Sequence, residues 1–449
     1  MSFPRYPTYK DSGVEWLGEV PEHWEVLPCR AIVDERTEKN ETAACQDYLS
    51  LMANIGIIPY EEKGDVGNKK PEDLSKCKIA RKGDFVINSM NYGIGSYGVS
   101  GYDGVCSPVY IVLTPRQGAI EEGFAFRIFE DKQFQGFSQS FGNGILAHRC
   151  AIGWDILKGI GVAVPPRPEQ RSILKFLDRE TAKIDALIAE QRRLIELLQE
   201  KRQAVISQAV TKGLNPDAPM KDSGVEWLGE VPEHWEALPM KRLLLKIEQG
   251  WSPECLAKPA DDDEWGVVKA GCVNRGIFSP NENKTLPSDL NAPGEYEIHA
   301  GDLLMSRASG SPELIGSVAF IDQIRPKLLL SDKIFRLRTN EKVGRRYLAA
   351  VLASTPLRQQ IRQSISGAVG LANNLPQSEI KNFVVALPPR DEQALIEAFI
   401  TSESKKLDDL LQDTEKTIEL LRERRSALIS AAVTGQIDVR GLVPEANAA

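Results

Sequence analysis

Residues 10–28, KDSGVEWLGEVPEHWEVLP, return at 221–239 as KDSGVEWLGEVPEHWEALP, with Val26 exchanged for Ala237. A second pair lies further on: PPRPEQRSILKF opens at Pro165 and PPRDEQALIEAF at Pro388, 223 residues later. A third, weaker pair matches RKGDFVINSM (81–90) with HAGDLLMSRA (299–308), and SPVYIVL (107–113) with SDKIFRL (331–337). The chain is two copies of one unit of about 215 residues. That period is far above the roughly 20–50 residues of solenoid repeats, so whole domains are duplicated.

Each copy has two parts. The first is rich in Gly, Pro and short β-branched runs such as GDFVINS, PVYIVL and GSVAFI, which predict strands broken by turns. The second is long and nearly free of Gly and Pro. Leu177, Ile184, Leu198 and Val205 fall at seven-residue spacing, with Leu187, Leu194 and Ile195 between; Ile400, Leu407, Leu421 and Leu428 do the same, with Leu410, Leu411 and Ile418 between. A heptad stripe of this length predicts a coiled-coil helix, a rod of about 65 Å in each copy. The cheapest partner for each apolar stripe is the other helix, paired antiparallel; the alternative is two separate helices, each packed on its own domain or on another subunit. The expected fold class is α+β: two strand-rich domains (1–164 and 214–386) separated by a pair of long antiparallel coiled-coil helices (165–213 and 387–440), with a flexible tail at 441–449 and an internal pseudo-twofold duplication.

Composition removes several classes. With 42% hydrophobic and 26% charged residues the chain is an ordinary folded protein. It has no apolar run of about 18 residues, hence no expected membrane span, and MSFPRYPTYKDSG does not read as a secretory signal. Seven scattered cysteines without a C-x-x-C argue against a zinc ribbon or a disulfide framework, and a reducing cytoplasm is the expected location. A net charge of −8 argues against a nonspecific coat for nucleic acid, but not against a local basic groove. No Gly-Lys pair occurs, so no Walker A loop is expected. The residues before each Pro-Pro, Val164 and Leu387, are wrong for an amino-methyltransferase motif. His23 and His234 each sit beside a tryptophan without a second ligand at metal spacing, so no metal is expected.

P-P-x-x-E-Q opening a long helix, twice, after a strand domain that carries a Gly-Asp-hydrophobic strand, resembles the specificity subunit of type I restriction–modification systems. The segments that carry the resemblance are GDFVINSM…SPVYIVL…GVAVPPRPEQ and GDLLMSRA…SDKIFRLR…FVVALPPRDEQ, and it covers nearly the whole chain. The resemblance implies a non-catalytic subunit with two target-recognition domains. Each would read one half of an asymmetric bipartite site in double-stranded DNA, and the helices would set the spacing. It also implies partners: two methyltransferase subunits and two restriction–translocase subunits. S-adenosylmethionine, ATP and Mg2+ are expected on those partners, with no cofactor in this chain. The competing readings are a self-contained DNA-modifying or DNA-cleaving enzyme with an unrecognised catalytic cluster, and a coiled-coil scaffold that binds no DNA.

Reading DNA takes phosphate contacts for register and side chains at base edges for sequence. The duplicated KDSGVEWLGEVPEHWE carries one Lys against five acids and would repel phosphate, so the DNA face is expected elsewhere. Candidates are polar and basic residues on loops beside the matched strands. In the first domain these are Asn54, Lys69, Lys70, Asn88, Asn91, Tyr92 and Arg149; in the second, Lys269, Asn274, Arg275, Ser306, Arg307, Ser309, Lys333, Asn373 and Asn374. Arg forks onto guanine and Asn onto adenine in the major groove. Trp16, Trp24, Trp227 and Trp235, in the duplicated segments, are expected either to meet the same partner subunit twice or to pack inside their own domains. Each helix has one polar interruption at the same repeat position, Gln191 and Thr414, and these are expected to face each other and fix the helix register.

Overall fold

The computed structural model describes residues 3–64, 66, 69–142, 151–365 and 373–442. They fall into two compact units, one of residues 1–191 with 416–449 and one of residues 192–415. Each unit therefore takes a globular part and a portion of both long helices. Among the described residues no helix is long and apolar enough to cross a membrane.

The duplication extends to sheet topology. In the first unit Val33–Glu35, Tyr110–Pro115, Phe85–Asn88 and Tyr97–Val99 form an antiparallel four-stranded sheet in that order. In the second, Leu244–Gln249, Ile334–Thr339, Leu303–Ser306 and Val318–Phe320 repeat it. The Gly-Asp pair ahead of the inner strand is a turn followed by a buried anion. Gly83 and Gly301 take left-handed φ of 92° and 87°, where a side chain would be strained. Asp84 is then paired with Arg36 (2.7 Å) and Asp302 with Arg338 (2.8 Å) and Arg336 (3.3 Å). A buried carboxylate is tolerable only when paired in this way, so the motif needs an arginine from a distant strand.

The P-P-x-x-E-Q motif is a joint. Gln170 donates to the Pro165 carbonyl (2.8 Å) and accepts from the amide of Glu121 (2.8 Å), which caps the helix Glu122–Glu130. Gln393 donates to the Pro388 carbonyl (2.9 Å) and accepts from Gly344 (2.8 Å), which caps the helix Arg345–Ala353. One amide side chain thus satisfies both the backbone before its own helix and an orphan donor of a neighbouring helix. The adjacent Glu169 accepts from Trp24 Nε1 (3.1 Å), His23 Nε2 (2.9 Å) and the Tyr6 hydroxyl. Glu392 accepts from Trp235 Nε1 (3.1 Å) and His234 Nε2 (2.8 Å). Trp24 and Trp235 are fully buried. Each is closed over by the glycine that ends a long helix: a Cβ on Gly435 would collide with Pro21 and come within 3.3 Å of Trp24, and one on Gly213 would lie 3.2 Å from Trp235.

The long helices span Arg167–Lys212 and Arg390–Val433. In the first unit Arg425 donates to Asp185 (3.0 Å); in the second Arg202 donates to Asp408 (2.6 Å). Both members of this pair are 223 residues apart in the two copies, so it is one contact made twice. With Gly213 beside Glu392 and Gly435 beside Trp24, the helices run antiparallel within each unit. Leu177, Ile184, Leu198, Leu407, Ile418 and Leu428 are buried, as the stripe predicts. Leu187, Leu194 and Leu410, counted with the stripe in the sequence, are instead 44%, 40% and 51% exposed. The buried residue is the next one round, Ile188 after Leu187, because the stripe steps by alternating fours and threes and Leu187 lies about 100° off it.

Candidate nucleic-acid interface

In the first unit the strand Phe85–Asn88 runs into a closely bonded turn. Asn88 N bonds to Ser96 O (3.0 Å), Asn91 N to Asn88 O (3.1 Å), and Gly95 N to Tyr92 O (3.1 Å). The hairpin Leu49–Met52/Gly56–Pro59 leans on it, with Asn54 N donating to Gly95 O (2.9 Å). Asn54 is exposed at the hairpin tip with φ of 61°, a conformation that Asn tolerates better than most residues. The bond to Gly95 sets the hairpin tip that carries Asn54 against the turn that carries Asn91. Among the described residues no hydrogen-bond partner takes either side-chain amide, so both can still fork onto a base edge.

Two candidates from the same turn are corrected. Tyr92 is fully buried, its hydroxyl on the Phe129 carbonyl at 2.5 Å and its pKa pushed well up by burial; it is the pin beneath the turn. Asn88 is buried and its Oδ1 accepts from Met90 N (3.2 Å), so it shapes the turn from inside. Lys69 is exposed and Lys70 donates to Gln46 O (3.1 Å); among the described residues no hydrogen bond or ion pair ties either to the asparagine turn. Arg149 lies outside the described residues.

In the second unit the matching strand Leu303–Ser306 leads to Arg307, whose amide bonds to Lys333 O (2.8 Å) and whose carbonyl accepts from Leu375 N (2.9 Å). Ala308 and Ser309 pair with Asn374 and Asn373. Arg307, Ser309, Lys333, Asn373 and Asn374 thus gather at one end of the sheet. Arg307 Nη1 donates to the Asp332 carbonyl (3.2 Å), and Lys333 lies 3.3 Å from the Asp332 carboxylate. Burial works to raise the Asp332 carboxyl, but the Ser252 hydroxyl and Lys333 outweigh it and hold the group below its ordinary range. Ser306, by contrast, is buried with its hydroxyl on Leu314 O (2.6 Å), and is corrected to a framework residue. Asn274 and Arg275 fall in the turn Ala270–Gly276 that packs on Val318–Phe320, and Lys269 pairs with Glu282 (3.5 Å). The Arg275 side chain lies outside the description.

The tryptophans divide. Trp24 and Trp235, sealed in the joints, have no area to offer a partner. Trp16 is half-buried, donating to Gly161 O (2.9 Å), and the half-buried Trp227 finds no partner for its Nε1 among the described residues. Near-identity of the duplicated segments is explained by the identical joint each one closes. The sequence reading missed the roles of Glu169, Glu392, Gln170 and Gln393, although the motif that contains them was visible. It also missed Leu197 and Leu420, 45% and 56% exposed, which with Leu187 and Leu410 repeat at an interval of 223 residues.

Comparison with known proteins places this framework. The family model described as type I restriction modification DNA specificity domain matches residues 37–197 and 254–420. The chain is 24% identical to the type I restriction enzyme EcoKI specificity subunit of Escherichia coli K12, over 94% of this chain and 90% of that protein. It is 27% identical to the EcoEI specificity subunit of Escherichia coli, in a match that spans 54% of this chain and only 40% of the relative. A solved chain from a structure of type I R-M complex assembly and conformational transition shares the fold, with a TM-score of 0.63 at 15% identity, over 94% of this chain and 99% of that one. The relatives are specificity subunits, in keeping with the expectation of a recognition subunit. Two matched stretches, one in each copy of the repeat, make this chain a member of the type I restriction–modification DNA specificity family.

Proposed function

We propose that this chain selects an asymmetric bipartite DNA site for its complex, each unit reading one half. The observation that carries this reading is the contrast between a repeated framework and unrepeated tips. The sheet order, the Gly-Asp ion pair and the helix joint recur, while the loops beside the matched inner strand present Asn54 and Asn91 in one unit and Arg307, Lys333, Asn373 and Asn374 in the other. Equal frames with unequal tips suit two different half-sites held by one scaffold. Mapping adenine methylation genome-wide, with and without this chain, tests it. A motif with two unlike halves is expected, and Arg307→Ala should relax only one of them; a palindromic motif would overturn the reading.

The scaffolding of two methyltransferase subunits, with two restriction subunits beyond them, is supported by the exposed leucines. Leu187 and Leu420 belong to the first unit, Leu410 and Leu197 to the second, and the two sets are repeat equivalents. Exposed apolar residues repeated on two units suit one kind of neighbour met twice. S-adenosylmethionine, ATP and Mg2+ are assigned to those neighbours. Leu187→Asp with Leu410→Asp should reduce methyltransferase binding in gel filtration and leave the chain folded; unchanged binding would remove the leucines from the contact.

A further inference from the structure

The asparagine turn of the first unit carries two exposed isoleucines that its matching turn in the second unit, Pro312–Leu314, does not repeat. Ile55 follows Asn54 at the hairpin tip and is 69% exposed; Ile94 lies in the turn after Asn91 and is 55% exposed. Neither is on a loose loop. A Cβ on Gly95 would collide with Asn54 Oδ1, and one on Gly98 would come within 2.9 Å of Gly56 Cα, so hairpin and turn touch backbone to backbone. Tyr92 pins the turn from beneath. Two aliphatic side chains are thus held out in water on a fixed platform, each beside a carboxamide that no hydrogen-bond partner takes among the described residues. At the matching turn of the second unit stand Pro312, Glu313 and Leu314, with Glu313 engaged by Arg362 (2.7 Å).

In the major groove an A·T pair presents the adenine N7 acceptor and N6 donor on one side, and the thymine O4 and C5-methyl on the other. A carboxamide matches the first and an aliphatic group the methyl. We propose that Asn54 with Ile55, and Asn91 with Ile94, form an A·T-reading platform whose isoleucines pack on thymine methyl groups in the half-site read by the first unit. This rests on the DNA-reading function proposed above and adds the base class. In the second unit the matching turn holds Pro312, Glu313 and Leu314 in place of the isoleucines, and the exposed Ile277 (60%) stands apart from it, after Asn274.

The test uses the full chain with its methyltransferase subunits and duplexes that carry the methylated motif. Each thymine of both half-sites is replaced in turn by deoxyuridine, which deletes only the C5-methyl. At one or two positions of a single half-site, binding should weaken about fourfold, the worth of one buried methyl group. The Ile55→Ala, Ile94→Ala chain should bind the thymine and uracil duplexes equally. Uracil as good as thymine at every position would overturn the inference, as would a double variant that still senses the methyl. If uracil has no effect and the double variant sheds its methyltransferase subunits, the isoleucines are a protein contact and the inference is wrong. A wild-type complex that selects no sequence would instead defeat the DNA-reading function, so the two failures are distinguishable.

Discussion

Glu169 is the acceptor on which the first joint depends. It receives Trp24 Nε1 at 3.1 Å, His23 Nε2 at 2.9 Å and the Tyr6 hydroxyl. Tyr6 and Trp24 are both buried, and burial together with the nearby carboxylate pushes the Tyr6 hydroxyl well above its ordinary pKa, so it remains a donor. Glu169→Ala leaves two buried donors unpaired, at about 1–2 kcal/mol each, or about 3 kcal/mol in total. Glu392 serves one buried donor, Trp235 Nε1, while His234 is half exposed and can turn to water. Glu392→Ala should therefore cost only about 1–2 kcal/mol. Hydrogen–deuterium exchange on the full chain separates the two joints. Amides at Val20–Trp24 should exchange about a hundredfold faster in Glu169→Ala, and those at Val231–Trp235 about tenfold faster in Glu392→Ala, at 1.4 kcal/mol per decade. Adding Tyr6→Phe to Glu169→Ala should recover part of the loss, because it removes one orphaned donor. Equal effects at the two joints, or no recovery from Tyr6→Phe, would show that unpaired donors are not what the substitution costs.

Three further outcomes are expected. Burial works to raise the Glu130 carboxyl, but Arg127 and Arg425 hold it below its ordinary range; Arg425, bonded to Glu130 (2.8 Å) and Asp185, has more at stake than its repeat equivalent Arg202. Arg425→Ala should cost about 1–2 kcal/mol and Arg202→Ala about 0.5 kcal/mol in urea titrations read at each unit, and the reverse order would refute the account. Asp131 caps the helix Lys132–Ser140 through Gln133 N (2.9 Å), and burial pushes its carboxyl up to about 6. A folded pKa above the unfolded value of about 3.9 gives stability that is present at low pH and lost as pH rises through 6, so acidification from about pH 7 to 5 should gain about 1 kcal/mol at this helix, measured by exchange, and Asp131→Asn should abolish the gain. Thr414 is buried and satisfies its hydroxyl on Leu410 O (2.7 Å), whereas Gln191 is half-buried. If the two face each other as their shared repeat position predicts, Gln191→Leu should be partly rescued by Thr414→Leu in a double-mutant cycle, and strict additivity would refute that expectation.

The duplication and the long helices were legible because both are periodic, and periodicity survives in a bare sequence. What the motifs do was not legible, because their partners come from far along the chain. Glu169 meets Trp24 across 145 residues, Arg36 meets Asp84 across 48, and neither spacing carries a signature. Leu187 and Leu410 were assigned to the seam because seven-residue spacing counts residues, whereas burial follows angle, and one position along the helix turns a side chain by about 100°. The candidate DNA contacts were picked by residue type and place in the chain, and some of those asparagines and basic residues cluster in the fold. Tyr92, Asn88 and Ser306 were misread because a polar residue at a strand end looks alike whether it points to solvent or bonds the turn from inside. The isoleucines escaped notice because apolar residues are assigned to cores by default, and only an exposure reveals the exception.

The glycine that closes over Trp24 belongs to the far end of the chain. Tyr9 OH bonds to the Gly435 carbonyl (3.0 Å), Asp438 N to the Pro4 carbonyl (2.9 Å), and Arg440 stacks on the Tyr6 ring at 4.9 Å. As the ribosome releases the chain, the unit whose sequence is made first is therefore the last that can be completed, whereas residues 192–415 are all present before it. A nonsense codon shortly after Val433 would leave the second unit whole and strip the cover from a tryptophan encoded four hundred codons upstream. Limited proteolysis of such a truncated chain should cut first near its amino terminus, and cutting that begins in residues 192–415 would show that the first unit closes without its distant end.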